Sequence, residues 1–187
     1  MARLCYATEL QLGELIRLSG LPDSAPSANA FRMFAHAPAL GAATLKLVFA
    51  LLTETDLDPV LRELIILRVS QRCGCRYAWV QHVAIARGTG VQGAQIASLE
   101  RGEAPIGLFD ERSSAAFTLA DDMLANYHAA DQTFATAQNL FSPRELVELL
   151  LLIGYFRMIS AVMTTLEVEV ELPFGARVLA SRSNNLQ

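Results

Sequence analysis

The sequence predicts an all-α, single-domain helical bundle. Two observations carry this: apolar residues recur at helical spacing along almost the whole chain, and the stretches that carry them are bounded by residues that start and stop helices. No segment is assigned to a strand. At 187 residues the chain is long enough for one sizeable core, and a second independent domain is not expected.

Taken in order, helices are expected over Glu9–Leu18, Ala28–His36, Ala39–Thr53, Pro59–Cys73, Arg76–Arg87, Gln92–Arg101, Glu111–Tyr127, Asp131–Leu140 and Pro143–Leu166. Breaks at Gly20–Pro22, Gly88–Gly90 and Gly102–Asp110 give short loops. Asp58 ahead of Pro59, and Ser142 ahead of Pro143, each put a side-chain cap before a proline at the first helical position. Val60–Val69 is apolar on nearly every side, which marks a buried helix and leaves Glu63 in apolar company. The polar tail Ser181–Gln187 is expected to be mobile.

Composition narrows the function. Net charge is −4 with no basic stripe, so nucleic-acid binding is not expected. Hydrophobic residues make up 52% of the chain, yet the longest charge-free stretch, Met33–Leu45, holds thirteen residues and a proline. A membrane span needs about 20, so none is expected. The surplus apolar surface is assigned to contacts between subunits. The N-terminus lacks a secretory signal, and three cysteines make no disulfide framework, so the expected setting is a reducing cytoplasm. Phosphate loops, dinucleotide fingerprints and the nucleophile elbow are absent, so nucleotide cofactors and hydrolase chemistry have no support. His36, His82 and His128 lie far apart without a full set of partner ligands, and no metal is expected.

One constellation carries chemistry: Glu63, Cys75 and His82. Gly74 separates two helical stretches, which puts Cys75 at or just before the start of the second. There the unpaired N–H groups and the helix dipole favour thiolate. Seven residues make about two turns, so Cys75 and His82 are expected on one face, with Ala78 and Trp79 between them, forming one wall of a small pocket. Histidine is the residue type that can accept or return a proton near neutral pH, which suits His82 to proton transfer, and Glu63 is placed to orient it if the two helices fold back on each other. Tyr155 and Arg157, on the apolar last helix, are candidates for the same pocket. A structural reading stands beside this one, because buried Cys, Glu and His are commonly satisfied core residues.

The stretch Arg62–Val69, followed by Cys75–Arg87, resembles the signature of the carboxymuconolactone decarboxylase family, which includes alkylhydroperoxidase D-like proteins. Phe31–Pro38 and Glu145–Glu171 resemble the first and last helical segments of its longer members. The resemblance covers about residues 30–172 and leaves an N-terminal helical extension over 1–29. It implies an alkylhydroperoxidase D-like helical bundle, assembled as a homo-oligomer (dimer, trimer or hexamer), working without a cofactor on a small molecule, a peroxide or a lactone.

In the alkylhydroperoxidase D-like branch the site is a Cys-x-x-Cys pair, and here the second cysteine is replaced by Ala78. The resemblance implies peroxide reduction by Cys75, with His82 and Glu63 managing protons and Tyr77, Ala78, Trp79 and Tyr155 near the pocket. Cys73 is either a resolving thiol or a packing residue. A Cys73–Cys75 bridge would close a short ring and be easily reduced. The decarboxylase branch implies instead acid–base work by His82 and Glu63, with a cation such as Arg62, Arg68 or Arg76 on the substrate carboxylate. A non-catalytic oligomer that binds a small apolar molecule is the third reading.

Overall fold

The computed structural model describes residues 1–22 and 28–172. Its elements are α1 (Glu9–Ser19), α2 (Asn29–Phe34), α3 (Pro38–Thr53), α4 (Pro59–Arg72), α5 (Arg76–Thr89), α6 (Gly93–Glu100), α7 (Glu111–Asn126), α8 (Asp131–Leu140) and α9 (Pro143–Thr165). Among the described residues there is no strand, only an isolated bridge between Ile106 and Phe109. The protein is an all-α bundle, as the sequence predicts. The expected tail, Ser181–Gln187, lies outside the described residues.

The helix ends follow from local chemistry. Asp58 caps α4 by accepting from the N–H groups of Val60 and Leu61 at 2.9 and 3.0 Å. Ser142 and Glu145 form a reciprocal capping box at the start of α9. The sequence extends α2 to His36, whereas the helix stops at Phe34, because Ala37 precedes Pro38 and is pushed out of helical geometry (φ −133°, ψ 71°). At the other boundary, α5 runs past Gly88 to Thr89. Gly90 takes the left-handed conformation (φ 104°) that ends a helix, so the stop lies one glycine later than expected.

Helix α4 is the centre of the bundle. Ile65, Ile66, Leu67 and Val69 have no exposed surface, and α5, α7 and α9 all pack against it. Arg68 emerges from α4 to fork onto Asp121 of α7, at 3.0 and 2.6 Å, with Arg72 on the same carboxylate. On the far side, Glu148 of α9 accepts from the backbone N–H groups of Asp56 and Leu57 and ties down the turn that precedes α4. At its other end α4 closes on Gly74 (φ 63°), with the Cys75 N–H donating to Ser70 O at 2.8 Å. This is the six-to-one bond of a left-handed helix stop. It turns the chain directly into α5.

The expected absence of a membrane-length apolar helix is corrected by α9. Its 23 residues are long and apolar enough to cross a membrane by length and composition, but 50% of the most apolar window is buried in the bundle. A count of charge-free residues misses this helix, because Glu148 and Arg157 interrupt it. Leu149, Leu152 and Ile153 fill the core, while Val147, Leu151 and Met158 face outward.

Two glycines separate close approach from idle space. A Cβ on Gly41 would stand 2.7 Å from Phe34 O and 2.8 Å from a Leu15 methyl, whereas Gly154 has nothing within 4 Å. Gly41→Ala is expected to destabilise by about 1–3 kcal/mol through overpacking, and Gly154→Ala to stabilise by about 0.5–1 kcal/mol. Urea unfolding of the two variants checks both signs.

A second expectation concerns acid. Burial works to raise the Asp121 carboxyl, but hydrogen bonds and charge from Arg68 and Arg72 outweigh it and hold the group below the ordinary range. Its stabilising effect is therefore complete above the unfolded pKa of about 3.9 and is lost as pH falls through the lower folded value. Asp121→Asn should flatten that acid limb, measured as unfolding free energy between about pH 5 and pH 2.

Candidate active site

Glu63 projects from the middle of α4 and His82 from the middle of α5. Their side chains meet: His82 Nδ1 lies 2.9 Å from Glu63 Oε2, in surroundings that leave Glu63 fully buried and His82 8% exposed. With Glu63 ionised, the Nδ1–H donates and Nε2 carries the ring's lone pair. The other carboxylate oxygen, Oε1, is 3.5 Å from Arg62 Nε, and neither atom has a hydrogen-bond partner among the described residues. The imidazole and the Phe156 ring of α9 form a T-shaped pair, with centroids 4.9 Å apart and planes at 90°.

Beside His82 is a cavity of about 110 Å³. Aromatic and aliphatic side chains from α2, α3, α5 and α9 wall it, among them Phe31, Phe49, Ile85 and Phe156. Its polar groups are few. The Tyr77 hydroxyl donates to Glu171 Oε1 at 2.6 Å and accepts from the Ala30 N–H at 3.2 Å. Tyr155 donates to Thr44 O at 3.2 Å. Burial, then the neighbouring Glu171, pushes the Tyr77 phenol far above its usual range, and burial alone does the same for Tyr155. Both phenols stay neutral. Among the described lining residues, His82 alone has a side chain of a type that titrates near neutrality, since Gln81 and Ala78 complete the α5 side.

The candidate residues divide between two places. Tyr77, Ala78 and Tyr155 line the cavity with His82, while Cys75 and Trp79 do not. They border a separate recess with Ser70, Gln71, Gly74, Arg76 and Glu100. Cys75 therefore does not share this cavity with His82. Cys75 is the N-cap of α5, with non-helical angles (φ −85°, ψ 88°), and two helical turns put about 10 Å along the axis between the two residues. Trp79 is one turn from Cys75 and borders the same recess. Cys75 is 1% exposed, whereas Cys73 is only partly buried.

The remaining candidates sit elsewhere. Arg68 is committed to Asp121, Arg62 lies against Glu63, and Arg76 borders the Cys75 recess, so none of these cations lines the cavity. Arg157 donates to Met123 O at 2.9 Å and lies over the Tyr127 ring. Among the described residues no three His, Cys, Asp or Glu side chains group as metal ligands do. Sequence reasoning missed Gln81, Ile85 and Phe156. The first two were legible, because 77, 78, 81, 82 and 85 form one helical stripe. Phe156 and the α2 and α3 aromatics depend on packing between helices and left no local signal.

Removing Glu63 tests the pairing. Glu63→Ala strands a buried arginine beside an unanchored imidazole and should cost about 3 kcal/mol or more. Glu63→Gln retains a hydrogen-bond partner and should cost less. Thermal and urea unfolding of both variants, with the His82 ring signals followed by NMR, checks the order.

Residues 38–122 match the model of the Carboxymuconolactone decarboxylase family. No curated protein matches the chain. Among solved structures, a protein of unknown function from Agrobacterium tumefaciens is 22% identical with a TM-score of 0.68, over 75% of this chain and 96% of that one. An uncharacterised peroxidase-related protein from Ralstonia eutropha, an alkylhydroperoxidase AhpD core, is 17% identical with a TM-score of 0.71, over 91% and 92%. The debrominase Bmp8, as a cysteine-to-alanine variant in complex with 2,3,4-tribromopyrrole, is 14% identical with a TM-score of 0.70, over 100% of both chains. At these identities the likeness is one of fold. Residues 38–122, which hold Glu63, Cys75 and His82, thus match the carboxymuconolactone decarboxylase family, and the chain has the fold of AhpD-like proteins.

Proposed function

We propose that this protein is a cofactor-free enzyme that moves a proton on a small, neutral, mostly apolar molecule. His82 Nε2 is the group that takes and returns the proton, and Glu63 is its positioning residue. The observation that carries this reading is the hydrogen bond between a fully buried carboxylate and the imidazole that faces the apolar cavity. Glu63 fixes the tautomer and steadies the imidazolium formed when His82 accepts a proton, the role a carboxylate plays behind any histidine base.

The cavity argues for the substrate class. Its described lining offers no cation to hold a carboxylate, which weighs against an anionic lactone, and no thiol, which weighs against peroxide reduction at this spot. Its volume is of the order of the roughly 150 Å³ that accommodates benzene in an engineered protein cavity. A compact aromatic ring is the class that fits, and a protein of the same fold holds 2,3,4-tribromopyrrole. We carry that class, a neutral heteroaromatic with an ionisable hydrogen, to this chain.

The test is deuterium uptake from heavy water into a bromopyrrole, followed by NMR with the full chain. Wild type should accelerate uptake at a ring carbon, His82→Ala should lose about 10²- to 10⁴-fold, and Cys75→Ala should match wild type. Loss in Cys75→Ala with activity retained in His82→Ala would replace this reading with thiol chemistry.

A further inference from the structure

A second reactive centre lies at the corner between α4 and α5, outside the cavity, and it is independent of the reading of His82. We propose that Cys73 and Cys75 form a dithiol–disulfide pair that exchanges with low-molecular-weight disulfides, Cys73 reacting first and Cys75 closing the bond. This inverts the order that the sequence resemblance implies.

Covalent reach and exposure carry the argument. Two residues span about 7 Å at full extension, and here the chain is turned, with Cys73 in right-handed and Gly74 in left-handed geometry (φ −86° and 63°). The turn shortens the pair's Cα separation from that extended limit toward the roughly 4.4–6.8 Å at which disulfides form. A side chain on residue 74 would be strained at that φ, so glycine is what lets the corner turn this tightly. Exposure decides the order. Cys73 is partly accessible, and Cys75 at 1% is not. Cys73 is the more accessible of the two to a molecule from solution, while an attack by Cys75 needs little access because it is intramolecular.

The surroundings of Cys73 suit that role. Ser160, fully buried on α9, and the charge of Arg157 on the same helix act on Cys73 from that side. Both favour a thiolate there. Burial first, and then Cys75, push the other way and prevail, so Cys73 rests as a thiol above its usual range.

The steps balance. The Cys73 thiolate attacks one sulfur of R–S–S–R, forms Cys73–S–S–R and expels RS⁻, which takes up the proton that Cys73 released. The Cys75 thiolate then attacks Cys73 Sγ, forms the Cys73–Cys75 bond and expels the second RS⁻, again protonated. Two protein thiols are oxidised by two electrons, and one small disulfide is reduced to two thiols. The small ring so closed staples the cap of α4 to the cap of α5 and should be easily reopened.

The experiment uses the full chain in glutathione redox buffers, trapped by acid and alkylation and then digested with trypsin. Cleavage after Arg72 and Arg76 releases Cys73-Gly74-Cys75-Arg76 as its own peptide. Oxidation should make that peptide two hydrogens lighter, without glutathione attached. In Cys75→Ser the Cys73 glutathione adduct should accumulate, whereas in Cys73→Ser the remaining thiol should react at least ~10-fold more slowly, because it is shielded from solvent. In wild type, Cys73 alkylation should keep accelerating above pH 8.5, the ordinary thiol pKa being about that value. Ser160→Ala should slow it several-fold with unfolding unchanged. A corner peptide that stays reduced while Cys5 becomes glutathionylated overturns the proposal. Faster adduct formation on Cys75 than on Cys73 overturns the order of attack.

Discussion

Burying the Glu63 carboxylate is the constraint on which the arrangement of the bundle turns. A carboxylate with no exposed surface is costly unless it is paired, and α4 supplies only Arg62 next in sequence, at 3.5 Å and without a formed hydrogen bond. The hydrogen bond it does make comes from another helix. His82 must therefore sit opposite Glu63, and α5 must return along α4 at the register that brings the two together. The stop at Gly74 and the direct entry into α5 at Cys75 provide that return with no loop to spare. The same demand explains how α4 tolerates so little exposure: its other two interior charges, Arg62 and Arg68, are both matched by carboxylates.

From that pairing follows the electrostatic character of the cavity. One nitrogen of His82 is taken by Glu63, the ring lines an apolar and aromatic cavity, and the two phenols nearby are locked in bonds to a carboxylate and to backbone groups. Water has few partners there, so a proton moved by His82 would travel between the ring and whatever occupies the cavity. Glu171 extends the network from the C-terminal side. By accepting from Tyr77 it fixes a wall residue in place, and Glu169, two residues earlier, is bonded to Tyr6 and Asn29. The rim of the cavity is thus braced by polar contacts between the two ends of the described chain.

Much of this was legible in the sequence, and the parts that were not share a cause. Helices came through because capping is local: Asp58–Pro59, Ser142–Pro143 and the glycines at 74 and 90 act within a few residues. Glu63 and His82 came through because an acid in an all-apolar helix has to find a partner, and the next helix offers one. The placement of Cys75 outside the cavity did not, because angular spacing on a helical wheel ignores the rise of about 1.5 Å per residue and assumes helical angles that an N-cap lacks. The cavity wall from α2, α3 and α9 did not either, since it arises where separate helices cross. Membrane length in α9 was hidden by two charges whose side chains reach partners at Asp56 and Leu57 and at Met123.

Ala78 resolves what the missing cysteine of the Cys-x-x-Cys pattern means here. Position 78 is one turn before His82 on the cavity wall, whereas position 75 is outside the cavity altogether. A thiol at 78 would share the cavity with the imidazole; the thiol at 75 does not. With alanine at 78, no sulfur is found among the described residues that line the cavity. What the cavity retains is a base, its carboxylate and an apolar chamber. The two cysteines of the corner, 73 and 75, are left with each other, across a glycine turn and outside the cavity that holds His82. His82 with its carboxylate, and Cys75 at the start of the same helix, thus border different recesses of the bundle.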